Sequence, residues 1–270
     1  MTSDLNAIAT SLIQDAVDKC DPTYGFGSMS CSVYDTAWVS LVTKIINDER
    51  QWLFLESFYY LLDNQSPDGS WGVTTSQIDG ILSTAASLLS LLRHEAQPLQ
   101  LENIDAIDFR SRITKAIDSL GSQLRSWSVA STIHVGFEVI VPAILNLIAK
   151  EDPSIRFQFD GFDELRNINA EKLSKFQPEY LYSNVQSTAL HSLEAFIGEV
   201  DFDRIAHHIT SGSMMGSPSS TAAYLMNVSH WDDGAEAYLR HVIRHAAGGG
   251  GGGVPSAYPS TYFEYSWVGS

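Results

Sequence analysis

Cysteine is nearly missing from this sequence: Cys20 and Cys31 are the only two in 270 residues. Two thiols cannot make the disulfide framework of a small secreted domain, and without a CxxC pair they supply no zinc ligand set. Bases are scarce too, 16 Lys and Arg against 32 Asp and Glu, for a net charge of −16. That excess of acid repels nucleic-acid phosphate and anionic membrane surfaces, so neither is expected as a partner. No apolar run reaches the roughly 18 residues of a membrane-spanning helix. The opening MTSDLNAIATSLIQDAVDKC has no basic region leading into a continuous apolar block, so it is not read as a signal or transit peptide. A soluble, cytoplasmic protein in a reducing compartment is the expectation. GxSxG, a Walker loop and GxGxxG are also missing. The glycines at 248–253 have neither the strand before nor the helix after that a phosphate cradle requires.

What is present is helical periodicity in a chain that is 44% hydrophobic, enough for a real core. Leu5, Ile8, Leu12, Ile13 and Val17 share one face of an opening helix. QWLFLESFYYLLDNQ (51–65) reads as a second helix that stops at SPDG, and ILSTAASLLSLLRHEA (81–96) as a buried one. The same pattern marks 108–127, 137–150, 186–198, 202–211, 219–227 and 233–246. FEVIVPAIL has a β-branched flavour, but Pro142 argues against a central strand and is tolerated near a helix start. Short Gly, Pro, Ser and Asp turns separate the helices without a strict repeat, which predicts stacked helical hairpins. The run AAGGGGGG (246–253) is expected to be flexible.

Three groups of residues could carry chemistry. Asp232, Asp233 and Glu236 form a DDxxE spacing about one helical turn deep, suited to a hard divalent cation such as magnesium. Acids in the first turn of a helix also cap it and complement its dipole, and this is the preferred reading. His241 and His245 are four apart but have no HExxH arrangement, and the adjacent His207 and His208 diverge by about 100° on a helix. Asp201 and Asp203 precede an apolar-periodic stretch and read as capping acids. In QSPDGSWG, Asp68 and Gly69 have the chemistry of a tight turn, bracketed by Gln65 and Trp71.

Taken together, SCSVYDTAWVSLV (30–42), QSPDGSWG (65–72), IHVGFEVIVPAIL (133–145), ALHSLEAFIGEVDFDRI with GSMMGSPSSTAAYLM (189–226) and GGVPSAYPSTYFEYSWV (252–268) resemble diterpene cyclases. The likeness is to the N-terminal part of the fungal bifunctional copalyl diphosphate/ent-kaurene synthase type. It implies an all-α fold of α/α-barrel type: residues 1–28 as the first helix of a β domain, 29–248 as a γ domain, and 249–270 as a Gly-rich linker returning into β. It also implies that Gln65 and Trp71 belong to a QW-type turn tying neighbouring helices, with Asp68 as turn chemistry.

Such cyclases protonate an alkene of geranylgeranyl diphosphate, using a carboxylic acid kept protonated by its surroundings. That acid belongs to a DxDD motif, and no DxDD occurs in these 270 residues. The acidic cluster often found ahead of GFE is replaced by RSWSVASTIH (125–134), and the lysine often found ahead of LHSLE by Asn184, Val185 and Gln186. The resemblance therefore implies a partial cyclase without activity of its own, with magnesium as the family's cofactor. Its expected partners are geranylgeranyl diphosphate and a DxDD-bearing β-domain polypeptide. The alternative is a non-catalytic binding or regulatory subunit, and a weak lyase using Asp232, Asp233 and Glu236 ranks last. Tyr258, Tyr262, Phe263, Tyr265 and Trp267 read as a helix with an unmet packing face.

Overall fold

The computed structural model describes residues 2–72, 76–101 and 104–268, the side chains of 2–6, 16 and 268 excepted. Local sequence sets each element. Helix α1 (Thr2–Asp18) is followed by α2 (Val33–Ser40), whose cap Ser32 accepts from the Asp35 N–H. A hairpin of β1 (Thr43–Ile46) and β2 (Glu49–Trp52) then leads into α3 (Leu55–Asp63). Helix α4 (Gln77–Ala96) starts at Ser76, which accepts from the Asp79 N–H. It is buried nearly all round, from Ile81, Ala85 and Leu88 to Ser83, Ser87 and Ser90. Such a helix belongs at the centre of a fold. Helix α5 (Ala106–Ser126) is amphipathic and lays Phe109, Ile113, Ala116, Leu120 and Leu124 inward.

Helix α6 (Phe137–Glu151) contains Pro142 in its second turn. Proline has no N–H to give the carbonyl four residues earlier, that of Glu138. Asn169 of α7 (Phe162–Lys175) supplies the missing donor at 2.8 Å, and Lys172 of α7 pairs with the Glu138 carboxylate at 3.1 Å. The proline defect in α6 is thus the place where α7 docks. Three 3-10 segments follow, Pro178–Tyr180, Thr188–Phe196 and Phe202–His208, and then a small hairpin of β3 (Ile209–Thr210) and β4 (Ser213–Met214). Helices α8 (Pro218–Asn227), α9 (Asp233–His245) and α10 (Thr261–Val268) complete the order.

Helix α2 packs on α4, α4 on α6, α6 on the Thr188–Phe196 segment, that segment on α8, and α8 back on α2. This closes a ring, with α3 against α2, α5 against α4, α7 against α6 and α9 against α8 on its outside. The result is the all-α, α/α-barrel architecture. Helix α1 stands apart and packs on α10.

Several expectations need correction. Gln51 and Trp52 pair with β1 and do not start α3; the Trp52 backbone is also bracketed by Gln100, whose amide accepts from its N–H and donates to its carbonyl. The stretches 186–198 and 202–211 are 3-10 turns, not α-helices. Ser192 breaks the first, and the Leu193 N–H is taken by the Ser220 hydroxyl at 2.9 Å. Helix α7 was not expected, because only Leu165 of its residues is buried. The glycine run is not a flexible link at its end: the Gly252 carbonyl accepts from Ser57 at 2.7 Å, and a Cβ on Gly252 would collide with the Glu56 carbonyl oxygen. Glycine is there because another backbone passes against it. Tyr258 is buried in the body and its carbonyl accepts from Tyr238, so it is not part of the exposed aromatic set. Among the described residues no helix is long and apolar enough to cross a membrane.

Candidate functional site

Motifs that lie far apart in the sequence meet at the junction of α2, the Thr188–Phe196 segment and α8. Glu194, from LHSLE, is 2% exposed and accepts from the Tyr34 hydroxyl at 2.9 Å and the Ser220 hydroxyl at 3.2 Å. Asp35, beside Tyr34 in VYDTAW, is also buried and accepts from the Ser32 hydroxyl at 2.6 Å. Ser217 and Ser219, from GSPSST, lie 3.1 Å apart and buried at the start of α8. Neither carboxyl is ion-paired with Lys or Arg among the described residues. Burial therefore dominates and raises the Glu194 carboxyl to about 7, with the nearby Asp35 charge adding to the shift; the Tyr34 and Ser220 hydrogen bonds oppose it. Asp35 is raised as well, chiefly by burial, against the hydrogen bonds of Ser32 and Ser219. Through Tyr34 and Ser220 this acid ties three elements together.

The turn residues behave as a tie. Gln65 donates to the Gly69 carbonyl at 3.2 Å and across to the Arg112 carbonyl of α5 at 3.0 Å. Trp71 is 2% exposed and its indole N–H donates to the Leu61 carbonyl of α3 at 2.7 Å. Asp68 accepts from the Ser70 N–H and hydroxyl, which hold its carboxyl below the usual range. Gly69 has φ +88, and a Cβ there would collide with the Lys115 backbone.

The DDxxE acids start α9. Asp232 accepts from the Ala235 N–H at 3.0 Å and from the Tyr224 hydroxyl at 3.3 Å. Glu236 meets Lys44 at 2.6 Å, the Trp231 indole N–H at 2.9 Å and Arg240 at 2.8 Å. Burial pushes the Glu236 carboxyl up, but those donors outweigh it and hold it below its ordinary value. Asp233 is exposed, 3.6 Å from Lys44. A magnesium ion would have to displace two cations from Glu236 and a helix N–H from Asp232, so these residues do not fit it. No group of three His, Cys, Asp or Glu is placed to hold a metal among the described residues.

The histidines are also engaged. His207 and His208 hydrogen-bond the carbonyls of Ser183 and Leu181. His241 and His245 stack with centroids 4.4 Å apart, and His241 meets the Tyr258 hydroxyl at 3.1 Å. Asp201 accepts from the Asp203 N–H, and Asp203 from the Ser229 N–H. Glu194 was missed as a special group; its one sequence signal is an acid set inside the apolar run LHSLEAF.

Two surfaces expose large apolar residues. On α1, Ile8, Leu12 and Val17 are about half exposed, and on α10 Tyr262 is 92%, Phe263 63% and Trp267 70% exposed. The loop ahead of α6 exposes Ile133 and Val135 almost completely. Helix α10 is fixed to the loop before α2: the Thr261 hydroxyl lies 2.7 Å from the Phe26 N–H, and Glu264 accepts from the Ser28 N–H and hydroxyl.

This ring of helices is of the terpene-cyclase type. The fold matches ent-copalyl diphosphate synthase from Arabidopsis thaliana, with a TM-score of 0.73 at 24% identity, over 97% of this chain and 35% of that one. It matches abietadiene synthase from Abies grandis at 0.74 and 27%, over 97% and 32%. In sequence the chain is homologous to fungal diterpene synthases. It is 55% identical over 268 residues to a phyllocladan-16-alpha-ol synthase of Phomopsis amygdali, covering 98% of this chain and 26% of that protein. It is 51% identical to a copalyl diphosphate synthase of Talaromyces verruculosus over 98% and 27%, and 46% identical to a bifunctional ent-kaurene synthase of Gibberella fujikuroi over 98% and 28%. The chain thus spans about a quarter of the length of these relatives. No family model matches it.

Proposed function

We propose that this chain is the γ-type α/α-barrel of a diterpene cyclase together with the edges of a neighbouring β domain, and that it serves protonation-initiated cyclisation of geranylgeranyl diphosphate only when that β domain is supplied. Residues 29–248 form the barrel in this reading, and α1 and α10 are the two β-domain helices it carries. The observation that carries the proposal is the bare α1–α10 face: large apolar side chains exposed on two helices in contact are the mark of a surface built to be covered.

The relatives bear names of copalyl and kaurene synthases, and the Arabidopsis enzyme is described with a geranylgeranyl thiolodiphosphate analogue bound. The acid that protonates the alkene and the groups that hold magnesium and diphosphate come from the covering part.

The test is to incubate the folded chain with geranylgeranyl diphosphate and magnesium, alone and with a separately expressed DxDD-bearing β-domain polypeptide. Dephosphorylated extracts are then analysed by gas chromatography and mass spectrometry. A copalyl-type product only from the mixture supports the proposal. Product from the chain alone would overturn it. Tight association without turnover would favour the regulatory-subunit alternative instead.

A further inference from the structure

The ends of the barrel differ. The starts of α2 and α8 lie beside the 254–258 segment, through the Ser32–Val254 and Gly216–Tyr258 backbone hydrogen bonds, and so toward α10. The opposite ends of α2, α4, α6 and α8, together with the β1–β2 hairpin, surround a groove of about 590 Å³. Above a closed floor of Leu41 and Leu225, half-buried Met226, Val228 and Trp231 supply its accessible apolar lining. Three cations, Lys44, Arg50 and Arg93, line it against one acid, Glu151, in a chain where acids outnumber bases two to one.

The three cations are not equivalent. Lys44 is held by Glu236 at 2.6 Å, and Arg93 by Glu151 at 2.7 Å. Arg93 sits in the last turn of α4, where positive charge complements the carbonyl end of the helix. Arg50 lies on β2, away from any helix end, is exposed, and makes no ion pair among the described residues. Its guanidinium is a spare donor fork at the rim of the groove. A fork of this kind binds a carboxylate or phosphate through two parallel hydrogen bonds.

We propose that this groove binds a small amphiphilic anion, a carboxylate or phosphate monoester with a flexible hydrocarbon tail, with its head on Arg50 and its tail against Met226, Val228 and Trp231. A groove of this size is in the range that holds small ligands, and its cationic rim beside apolar side chains matches the two ends of such a molecule. The ligand is a free molecule and not a bilayer headgroup, because the net charge of −16 opposes approach to an anionic membrane. The site is independent of the cyclase reading, since its elements lie at the barrel end opposite α1 and α10.

The experiment titrates the full chain with monomeric octyl phosphate by calorimetry and tryptophan fluorescence. Inorganic phosphate, octanol and phosphatidic-acid vesicles serve as comparison probes. Octyl phosphate is expected to bind saturably with one site, and phosphate and octanol each at least about tenfold more weakly, since a charge-assisted head and an apolar tail both contribute. Arg50→Gln is expected to weaken octyl phosphate binding about tenfold with unchanged circular dichroism, and Phe263→Ser on α10 to leave it as it was. The proposal is overturned by any of four results: no saturable binding, equal binding by Arg50→Gln, loss in Phe263→Ser, or uptake confined to vesicles.

Discussion

Two sets of acids in this molecule invert what their sequences suggest. The Asp232, Asp233 and Glu236 set has the spacing of a metal site, yet it caps α9 and neutralises Lys44 and Arg240 at the surface. Glu194 and Asp35 have no motif spacing, lying 159 residues apart in sequence, yet they are buried without a cation and carry the raised carboxyls. The difference is in the partners. A carboxylate with cationic donors keeps its charge in place, whereas one that is desolvated without a cationic partner is pushed toward its neutral form.

The most damaging change to the contrast is Glu194→Ala. At pH 5.5, where Glu194 is neutral in the fold, truncation opens a cavity and leaves the Tyr34 hydroxyl without its acceptor, at a cost of roughly 3 kcal/mol. Urea denaturation would measure it, and a loss below about 1 kcal/mol would mean that the junction of α2 and α8 does not depend on this acid.

Glu194→Gln keeps the shape and removes the titration, so its effect is read in pH. The folded carboxyl titrates at about 7 and the unfolded one at 4.5. The native state holds a proton that the unfolded chain releases, so this contribution is greatest below pH 4.5, falls as pH rises, and is lost above 7. His94, stacked between Trp52 and Phe58 at 4.0 and 3.8 Å, has the opposite sign. Burial lowers it from 6.5 to about 3, against the Ser90 carbonyl, so its contribution is lost as pH falls from 6.5 toward 3. From pH 4.5 to 6.5 the two slopes oppose. Stability of Glu194→Gln should rise with pH through that window, and its difference from wild type should grow by up to about 1.4 kcal/mol per unit up to pH 7. Parallel profiles would show that Glu194 titrates as an ordinary surface acid.

Why the sequence showed one set and hid the other is a matter of range. Capping, helix periodicity and the SPDG turn are set by residues within four positions of each other, and α4, α5, α6, α8 and α9 emerge close to their expected places. The Asp68 turn was legible for the same reason. The Glu194 site depends on Tyr34, 160 residues away, and on Ser220, and no local pattern encodes that closure. The 3-10 geometry of Thr188–Phe196 is likewise dictated from outside, by the Ser220 hydroxyl on the Leu193 N–H. The glycine run misled because composition reports the freedom of the unfolded chain, while Gly252 is fixed by the Glu56 backbone lying against it. Helix α7 escaped because its apolar stripe is short, Phe162, Leu165, Ile168 and Leu173 with only Leu165 fully buried, and its docking adds Asn169 and Lys172 on a proline defect that no local pattern shows.

In the α9 cluster, Glu236→Gln should cost about 1–2 kcal/mol, because Glu236 is partly buried and joins Lys44, Arg240 and Trp231 through charge-assisted hydrogen bonds. The loss should shrink little in 0.5 M salt, as screening acts weakly on a partly buried pair. Thermal unfolding at two ionic strengths would decide it, and full suppression by salt would place the cluster in open solvent.

The smallest effects separate capping from metal binding within one motif. Asp232→Ala removes the acceptor of the Ala235 N–H and should cost about 1 kcal/mol, and Asp232→Asn or Asp232→Ser should restore most of it, since either side chain caps without charge. Asp233→Ala, with its carboxylate exposed and 3.6 Å from Lys44, should leave stability indistinguishable from wild type. Neither variant should change the response of the unfolding midpoint to millimolar magnesium, because a cap is satisfied by a backbone N–H and has no use for the ion. If magnesium stabilised the wild type and both alanine variants erased that gain, the acids of α9 would be ligands after all, and the contrast with Glu194 would reduce to burial alone.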